Sequence, residues 1–273
     1  MLSNKQQHDG GLKMNSCFYD INWIYIPGGK ARIGSSLEEI EEAHDYWRTR
    51  LLSDSYKDEF KNWLLKEYPI NEVYLKPYKI SDIPVTNGLY LEYCEQTSQP
   101  FPESISDQVL GGGHENPVWG VTIEEALSFC EWLSSTINKN ITIPTEAQWE
   151  FAARGETRRI YPWGNNFSQE FCNTYESKIE KTTPVRKYEK GKSYYGLYDM
   201  GGNIEEWVHT KYDAYPNGVV IDDDLLQILG KDYFILKGGS FARGGDLCRV
   251  ARRHGRHPNP EFRFTGFRLA ISL

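Results

Sequence analysis

The order of apolar and polar residues predicts two kinds of element in the first third of the chain. Residues 18–36 alternate apolar and aromatic side chains towards a Gly-Gly pair, which predicts a β-hairpin. Residues 37–68 carry apolar side chains at helical spacing between charges, which predicts two amphipathic helices broken near Ser53. The first sixteen residues are polar and glycine-rich, and we expect them to be disordered.

Three later helices are predicted from their first residues. Thr86 is a suitable N-cap for a helix that runs through Glu95. Thr122 with Glu125, and Thr145 with Gln148, have the spacing of a capping box. We expect the last of these helices to end at Gly155.

The chain beyond residue 156 reads mostly as turns and short strands. No linker or fixed-period repeat divides it. The pattern therefore favours one α+β domain over residues 17–273, with a helical insertion at 37–66 and little regular structure in its second half. So much loop in a folded domain is typical of loops that carry function.

Composition excludes several classes of protein. The 273 residues are 39% hydrophobic, enough for a sizeable core, and the formal net charge of −7 argues against a general nucleic-acid or membrane-surface protein. Neither a long apolar run nor a signal-peptide core is present, so we expect a cytoplasmic protein. The scattered cysteines predict no disulfide framework or zinc site, only small buried side chains: Cys17, Cys94, Cys130, Cys172 and Cys248.

Nine short motifs, in order between residues 23 and 273, together resemble the formylglycine-generating enzyme or sulfatase-modifying factor family. They read IPGG-x4-GS, PVTN-x-x-Y, NPVWGVT with A-x-x-FC-x-WL, PTEAQWEFAARG, YPWGN, TTPV, YGLYDMGGNIEEW, LKGGSF and GFRLA. The resemblance implies that family's fold, a compact, loop-rich variant of the C-type lectin architecture.

The family contains enzymes, and the resemblance implies where their metal ligands would lie. The formylglycine-generating enzymes bind copper through two cysteines after the GGS turn, where this chain has Arg243 and then Cys248. The related sulfoxide synthases take iron ligands from an additional helical domain, whereas residues 37–68 here contain only His44. Arginines surround His254 and His257, two members of another set of side chains that could hold a metal. The full set is His209, His254, His257 and Cys248.

The end of the chain most resembles the variable proteins of diversity-generating retroelements. Those proteins close with GGS and an aromatic residue, a variable run, CR-x-A-x-R, further runs and GFRL, and this chain has GGSF, ARGGDL, CRVARR, HGRHPNPEFR, FT and GFRLA. The resemblance implies variation directed at template adenines, which cannot produce Lys, Gln, Glu, Met or Trp. None of those five stands at residues 242–247, 253–257, 262, 264 or 265.

The side chains in these runs without a scaffold role are the predicted ligand-binding set. They are Arg243, Asp246, Leu247, Arg253, His254, Arg256, His257, Phe262, Phe264 and Thr265. Residues 243–268 hold seven arginines against two acidic residues, a local charge of +5, which favours a protein or other macromolecular partner of acidic or aromatic character. The alternative is that these cations only neutralise the acidic residues of the rest of the chain, at 38–42 and 222–224.

Two other classes of partner are not favoured. Neither a recognition helix nor a stacking sheet supports a nucleic-acid partner, and no membrane partner is expected.

Other polar residues have structural interpretations. Arg252 and Arg268 are candidates to reach a carboxylate inside the fold, and Glu206 is the obvious partner, in a structural ion pair. Asn173 is a candidate calcium ligand by resemblance, while Asn203 is read as a turn former. No catalytic residue is assigned and no cofactor is required.

The sequence thus predicts a ligand-binding protein that displays a variable C-terminal segment, residues 238–273, on a C-type lectin-like scaffold diversified by a retroelement. The alternative is a copper or non-heme iron oxidoreductase that uses Cys248 as a thiolate.

Overall fold

The computed structural model describes residues 21–273, and both predicted helices of the insertion lie within that range. The expectation of disorder for residues 1–16 and the position of Cys17 lie outside it. The helices of the described part are α1 (Leu37–Trp47), α2 (Lys57–Leu65), α3 (Asn87–Thr97), α4 (Glu103–Ser106), α5 (Ile123–Ile137), α6 (Glu146–Arg154) and α7 (Asp224–Leu229).

The strands of the same part are short and form three small sheets. They are β1 (Trp23–Ile26), β2 (Gly29–Ile33), β3 (Asn71–Leu75), β4 (Tyr78–Ser81), β5 (Ile141–Thr142), β6 (Glu205–Lys211), β7 (Phe234–Lys237), β8 (Thr265–Gly266) and β9 (Ala270–Ser272). One sheet has the order β1-β4-β9-β5, the second pairs β2 with β3, and the third has the order β7-β6-β8. The pair β6–β8 is parallel.

The predicted β-hairpin at residues 18–36 is wrong in its pairing. Both strands exist, but β1 pairs with β4 and β2 pairs with β3. Between β1 and β2 the chain turns at Gly28, whose φ is +73° and where an added Cβ would lie 2.4 Å from the carbonyl oxygen of Leu75. Alternation identifies a half-buried strand but does not say which strand it joins.

The helix starts predicted from capping residues are confirmed. The Thr86 side chain accepts a hydrogen bond from the Leu89 amide, and both predicted capping boxes form, at the start of α5 and of α6. A further capping box at Ser36 begins α1. Helix α7 was missed, although Asp223 caps it by accepting from the Leu226 amide. Its six residues are too few for a periodic pattern to show.

Buried aromatic side chains fill the core between the helices and the first sheet. Phe129 of α5 stacks on Tyr90 of α3 with ring centroids 5.4 Å apart, and Phe267 meets Phe129 edge-on at 5.3 Å. Trp149 of α6 belongs to a second cluster that also contains Ile26 and Ile80. The terminal strand β9 lies between β4 and β5 in the first sheet, with Ala270 and Ile271 buried.

An interior ion pair joins the sheet that contains β6 to the sheet that contains β9. Arg268, just before β9, donates from Nε and Nη2 to the two carboxylate oxygens of Glu206, both at 2.6 Å. Trp149 Nε1 donates to the same carboxylate at 2.8 Å, and both charged side chains are fully buried. The prediction that Glu206 is structural and pairs with Arg268 agrees with this geometry.

The predicted pairing of Arg252 with Glu206 is wrong. Arg252 instead lies 3.4 Å from Asp246 and donates to the backbone oxygen of Trp63 at 3.2 Å. Glu206 is paired with Arg268 and Trp149, whereas the acceptors of Arg252 are the carboxylate of Asp246 and the backbone oxygen of Trp63.

The described cysteines, Cys94, Cys130, Cys172 and Cys248, are buried free thiols, which agrees with the predicted role as small apolar residues. Among residues 21–273, no helix is both long and apolar enough to cross a bilayer.

We expect the substitution Glu206→Gln to lower the free energy of unfolding by about 3–5 kcal/mol, because it leaves the Arg268 charge buried without its partner. Urea denaturation followed by circular dichroism measures this change. The control Glu72→Gln, at the exposed ion pair with Lys30, should leave the midpoint unchanged. Equal midpoints for Glu206→Gln and the parent chain would contradict the assigned role.

Candidate binding site

The positive charge of the terminal segment is compensated inside the fold. Six of its seven arginines lie within 4.0 Å of a carboxylate oxygen, in the pairs Arg243–Glu205, Arg249–Glu67, Arg252–Asp246, Arg253–Glu146, Arg263–Glu103 and Arg268–Glu206. The predicted local excess of +5 is therefore not free to attract an acidic partner. The alternative interpretation, that acidic residues elsewhere in the chain neutralise these arginines, describes them better. The carboxylates involved are not those expected at 38–42 and 222–224.

Three members of the predicted ligand-binding set are parts of the scaffold. Arg253 is 3% exposed, forms a bidentate pair with Glu146 at 2.8 and 3.0 Å, and packs over the Tyr215 ring. Thr265 lies in β8, fully buried. Phe264 packs against the Trp119 ring, with centroids 5.0 Å apart. For these three the expectation of an exposed binding surface is wrong, because each side chain is used in the interior.

Six other members line one recess, which we call the terminal-loop pocket. They are Arg243, Asp246, Leu247, His254, His257 and Phe262. The opposite wall comes from the helical insertion, with Leu51, Leu52, Tyr56 and Trp63, and from α7, with Asp224 and Leu225. The pocket has a volume of about 80 Å³. The remaining member, Arg256, lies apart, beside Lys211, Tyr233 and Phe234.

Ring and cation contacts order the mouth of the pocket. The Arg243 guanidinium lies 3.5 Å from the centroid of the Phe262 ring, a cation–π contact. The His257 ring meets Phe262 edge-on at 5.4 Å. The backbone is held by Gly239, whose φ is +71° and where an added Cβ would lie 2.9 Å from the Leu247 side chain. The two runs of the terminal segment are thus brought to one place.

A buried charge network connects two residues of the pocket, Arg243 and His254, to Glu205. His254 Nδ1 lies 2.7 Å from one oxygen of Glu205, and Arg243 Nε lies 3.5 Å from the other. Burial lowers the pKa of His254 below its ordinary value, and Glu205 only partly offsets this effect. Burial alone would raise the pKa of Glu205, but His254 and Arg243 hold it below its usual range. We therefore assign a neutral His254 that donates to an ionised Glu205 at neutral pH.

The model of the family described as "Sulfatase-modifying factor enzyme 1-like domain" matches residues 20–273. The chain belongs to this family. Its fold is accordingly the predicted α+β, loop-rich variant of the C-type lectin architecture.

Two relatives and one solved structure are similar to this chain. The Inactive C-alpha-formylglycine-generating enzyme 2 of Bos taurus is 25% identical over 303 residues, which cover 92% of this chain and 88% of that protein. Hercynine oxygenase of Mycobacterium tuberculosis is 27% identical over 244 residues, 76% of this chain and 55% of that protein. The solved structure of Treponema denticola variable protein 1 has a TM-score of 0.66 and 21% identity, covering 92% of this chain and 95% of that one.

Only one of the two positions after the GGS turn that the family resemblance implies for copper-binding cysteines is a cysteine in this chain. Arg243 occupies the expected first position and stacks on Phe262. Cys248 is fully buried, and burial raises the pKa of its thiol well above the ordinary value. Its neighbour is the thiol of Cys172, which reaches the same buried cluster from a different loop. The proximity of these two cysteines could not be predicted from their spacing, because they lie 76 positions apart in the chain.

The other candidate metal ligands are dispersed. His254 contacts Glu205, His257 Nδ1 accepts from the Asn259 amide at 3.1 Å, and His209 stacks on Phe234. Across the part of the chain that the structure describes, no three His, Cys, Asp or Glu side chains are grouped to hold an ion.

The candidate calcium ligand is engaged by the protein. Asn173 is fully buried, and its amide nitrogen donates to the Lys181 backbone oxygen at 2.8 Å and to the Asn203 side-chain oxygen at 3.2 Å. Its side-chain oxygen accepts from the Ser177 hydroxyl at 3.1 Å. Asn203 has a φ of +71°, as its interpretation as a turn former requires. Calcium binding at Asn173 stays a prediction.

Sequence reasoning missed half of the pocket. Tyr56 and Trp63 belong to the helical insertion, to which the sequence analysis assigned no role, and Asp224 begins the helix that was not predicted. Glu205, the residue before the predicted Glu206, was not singled out. The sequence signal for Glu205 was its place beside Glu206 at the start of a strand, because adjacent strand residues face opposite sides of a sheet. In the structure both glutamates are buried, so each face of β6 carries one buried carboxylate.

We expect two substitutions to move the pKa of His254 in opposite directions. Glu205→Gln should lower it further, because the carboxylate favours the charged imidazole, whereas Arg243→Gln should raise it, because the guanidinium disfavours that form. Titration of the imidazole by NMR measures both shifts, with Arg256→Gln as a control that should change neither.

The same shift predicts a pH dependence of stability. The unfolded chain binds a proton at His254 more readily than the folded chain does. The stability from this group is therefore complete above pH 6.5 and is lost as the pH falls through the lowered pKa. A His254 pKa above 6.5 in the parent chain would contradict this pH dependence, and shifts of the same sign for the Glu205 and Arg243 variants would contradict the assigned contacts.

Proposed function

We propose that this protein binds another molecule through the terminal-loop pocket. The observation that carries the proposal is that both runs of the terminal segment, residues 243–247 and 254–262, line one recess whose far wall is the helical insertion. The segment in which the resemblance to retroelement variable proteins implies variation is therefore the segment that surrounds the recess. The name of the Treponema denticola relative, variable protein 1, supports the same interpretation.

The size of the pocket favours a macromolecular ligand. A volume of about 80 Å³ admits one small side chain and excludes most free metabolites. Around it, the half-buried rings of His257 and Phe262 and the stacked Arg243 offer aromatic and hydrogen-bonding contacts of the type enriched at binding hot spots. A protein that inserts one side chain into the recess, and rests on this rim, fits both features. An acidic residue is favoured only at the rim, because Arg243 already faces Glu205.

Selection of random displayed peptides on the full chain tests the proposed site. Peptides that bind should lose about thirtyfold in affinity on Phe262→Ala, the effect of removing a hot-spot ring. The matched control is Phe101→Ala, which removes an exposed ring outside the pocket. Peptides that bind Phe262→Ala as tightly as the parent would place recognition elsewhere on the protein.

Diversification is a separate part of the proposal and has its own test. The genome should contain a near-copy of the coding segment for residues 242–265 beside a reverse transcriptase gene, and the two copies should differ at adenines of the template. Absence of such a copy from the complete genome would show that this chain is not diversified, while binding through the pocket would stand.

A second candidate function is a metal-dependent oxidoreductase, using copper or non-heme iron. The observation that favours it is the thiol of Cys172 beside that of Cys248, together with a relative named hercynine oxygenase. Two neighbouring thiols are a donor set that suits copper(I), although both must first lose their protons.

Metal analysis of the purified protein, with turnover of a cysteine-containing peptide under oxygen, tests the second candidate. Cys172→Ser and Cys248→Ser should each remove the metal and the turnover, whereas Cys94→Ser, at a buried thiol elsewhere, should keep them. A parent chain without metal and without turnover after copper or iron loading would exclude it.

A further inference from the structure

A second cavity, larger than the terminal-loop pocket, lies against α1. It has a volume of about 260 Å³ and is enclosed by α1, the end of α6 and the loop at residues 158–167. None of its lining residues lines the terminal-loop pocket. The cavity is therefore a distinct place on the molecule, and its function does not depend on the one proposed above.

Aromatic side chains form one side of this α1 cavity and hold each other in place. Trp47 of α1 donates from Nε1 to the Tyr161 hydroxyl at 3.0 Å, and its ring meets Phe167 edge-on at 5.0 Å. Tyr161 in turn stacks on Trp163 at 5.4 Å. An apolar cavity of about 150 Å³ is large enough for benzene. The α1 cavity can therefore hold two fused rings with a small substituent.

Guanidinium groups form the other side, and two of them have unused donors. Arg154 and Arg249 are 3% and 4% exposed, and their terminal nitrogens contact Glu150 and Glu67 respectively. The Nε of each has no acceptor among residues 21–273. Because buried N–H groups are nearly always satisfied, two such donors around one cavity point to a ligand that supplies oxygen acceptors.

A third guanidinium supplies charge at the rim. Arg158 is neutralised by Glu39, but the neighbouring Arg159 has no carboxylate within 4.0 Å in the described part of the chain. Glu42 also lines the cavity and would repel a multiply charged anion. A single negative charge is therefore the best match, and a carboxylate is the group whose planar oxygens suit guanidinium donors.

We propose that the α1 cavity binds a small aromatic monocarboxylate, whose rings pack on Trp47 and Phe167 and whose carboxylate faces Arg154, Arg159 and Arg249. Such a ligand would be gripped between the helical insertion and the body of the fold. It would therefore stabilise the position of α1 against the loop at residues 158–167.

Ligand-observed NMR on the full chain tests the proposal with two probes that differ in charge, 2-naphthoate and the neutral 2-naphthamide. We expect 2-naphthoate to bind with a Kd of about 1 mM or lower, and the amide at least about tenfold more weakly. Ala43→Phe, which places a ring in the cavity from the buried face of α1, should abolish binding of both.

Three further variants locate the binding. Arg159→Gln should weaken 2-naphthoate about tenfold and leave the amide unchanged, while the matched control Arg48→Gln, at an exposed arginine of the insertion outside the cavity, should change neither. Phe262→Ala, which tests the terminal-loop pocket, should also change neither. Circular dichroism confirms that each variant is folded.

The proposal is overturned by any of three results. Equal affinities for the two probes would show that the cavity does not select charge. Binding of 2-naphthoate that survives both Ala43→Phe and Arg159→Gln would place it outside the cavity. Failure of the parent chain to bind 2-naphthoate at concentrations well above 1 mM would show that no such site exists.

Discussion

The pairing of arginines in the terminal segment with buried carboxylates is the interaction on which the rest of the structure depends. The segment has little regular structure, so its backbone is not fixed by a ladder of hydrogen bonds over most of its length. Its register is set instead by bidentate contacts such as Arg249–Glu67 and Arg253–Glu146, each from a different part of the chain. A guanidinium suits this role because its planar fork fixes orientation as well as distance.

These contacts give the helical insertion its role. Glu67 follows α2 and holds Arg249, while Lys66 lies 2.5 Å from Asp223, the cap of α7. Backbone oxygens of Trp63 and Lys66 accept from Arg252 and Arg253. The insertion therefore lies over the terminal segment rather than beside it. Residues of the insertion line both the terminal-loop pocket and the α1 cavity. This position over the terminal segment explains why so many of the predicted surface residues are half-buried or buried.

The sequence predicted local structure well wherever a local signal was sufficient. Thr86, Thr122 and Thr145 each cap a helix through a contact within three residues, and the motifs identified the family and its fold. It predicted long-range pairing poorly. Alternation in β1 and β2 did not reveal their partners. The arginine-rich segment could be read as surface because the carboxylates that bury it lie up to 182 positions away. Charge counted along a chain does not show which charges meet in space.

The pocket illustrates the same limit. His257 and Phe262 were found because they belong to the recognised terminal segment, whereas Tyr56 and Trp63 come from an insertion with no counterpart in the quoted motifs. Nothing in either segment alone indicated that they would share a recess. The adjacency of Cys172 and Cys248 was equally invisible from spacing.

The contact between Asp246 and Arg252 limits how the terminal segment can be re-engineered. Asp246 stands within a run that the resemblance marks as interchangeable, yet its carboxylate is the counter-charge of a guanidinium 97% hidden from solvent. A combinatorial library that randomises the Asp246 codon would leave the buried Arg252 guanidinium without its carboxylate in many clones. Leu247, His257 and Phe262 form no ion pair with a buried arginine, so a synthetic library on this scaffold is best confined to these three codons.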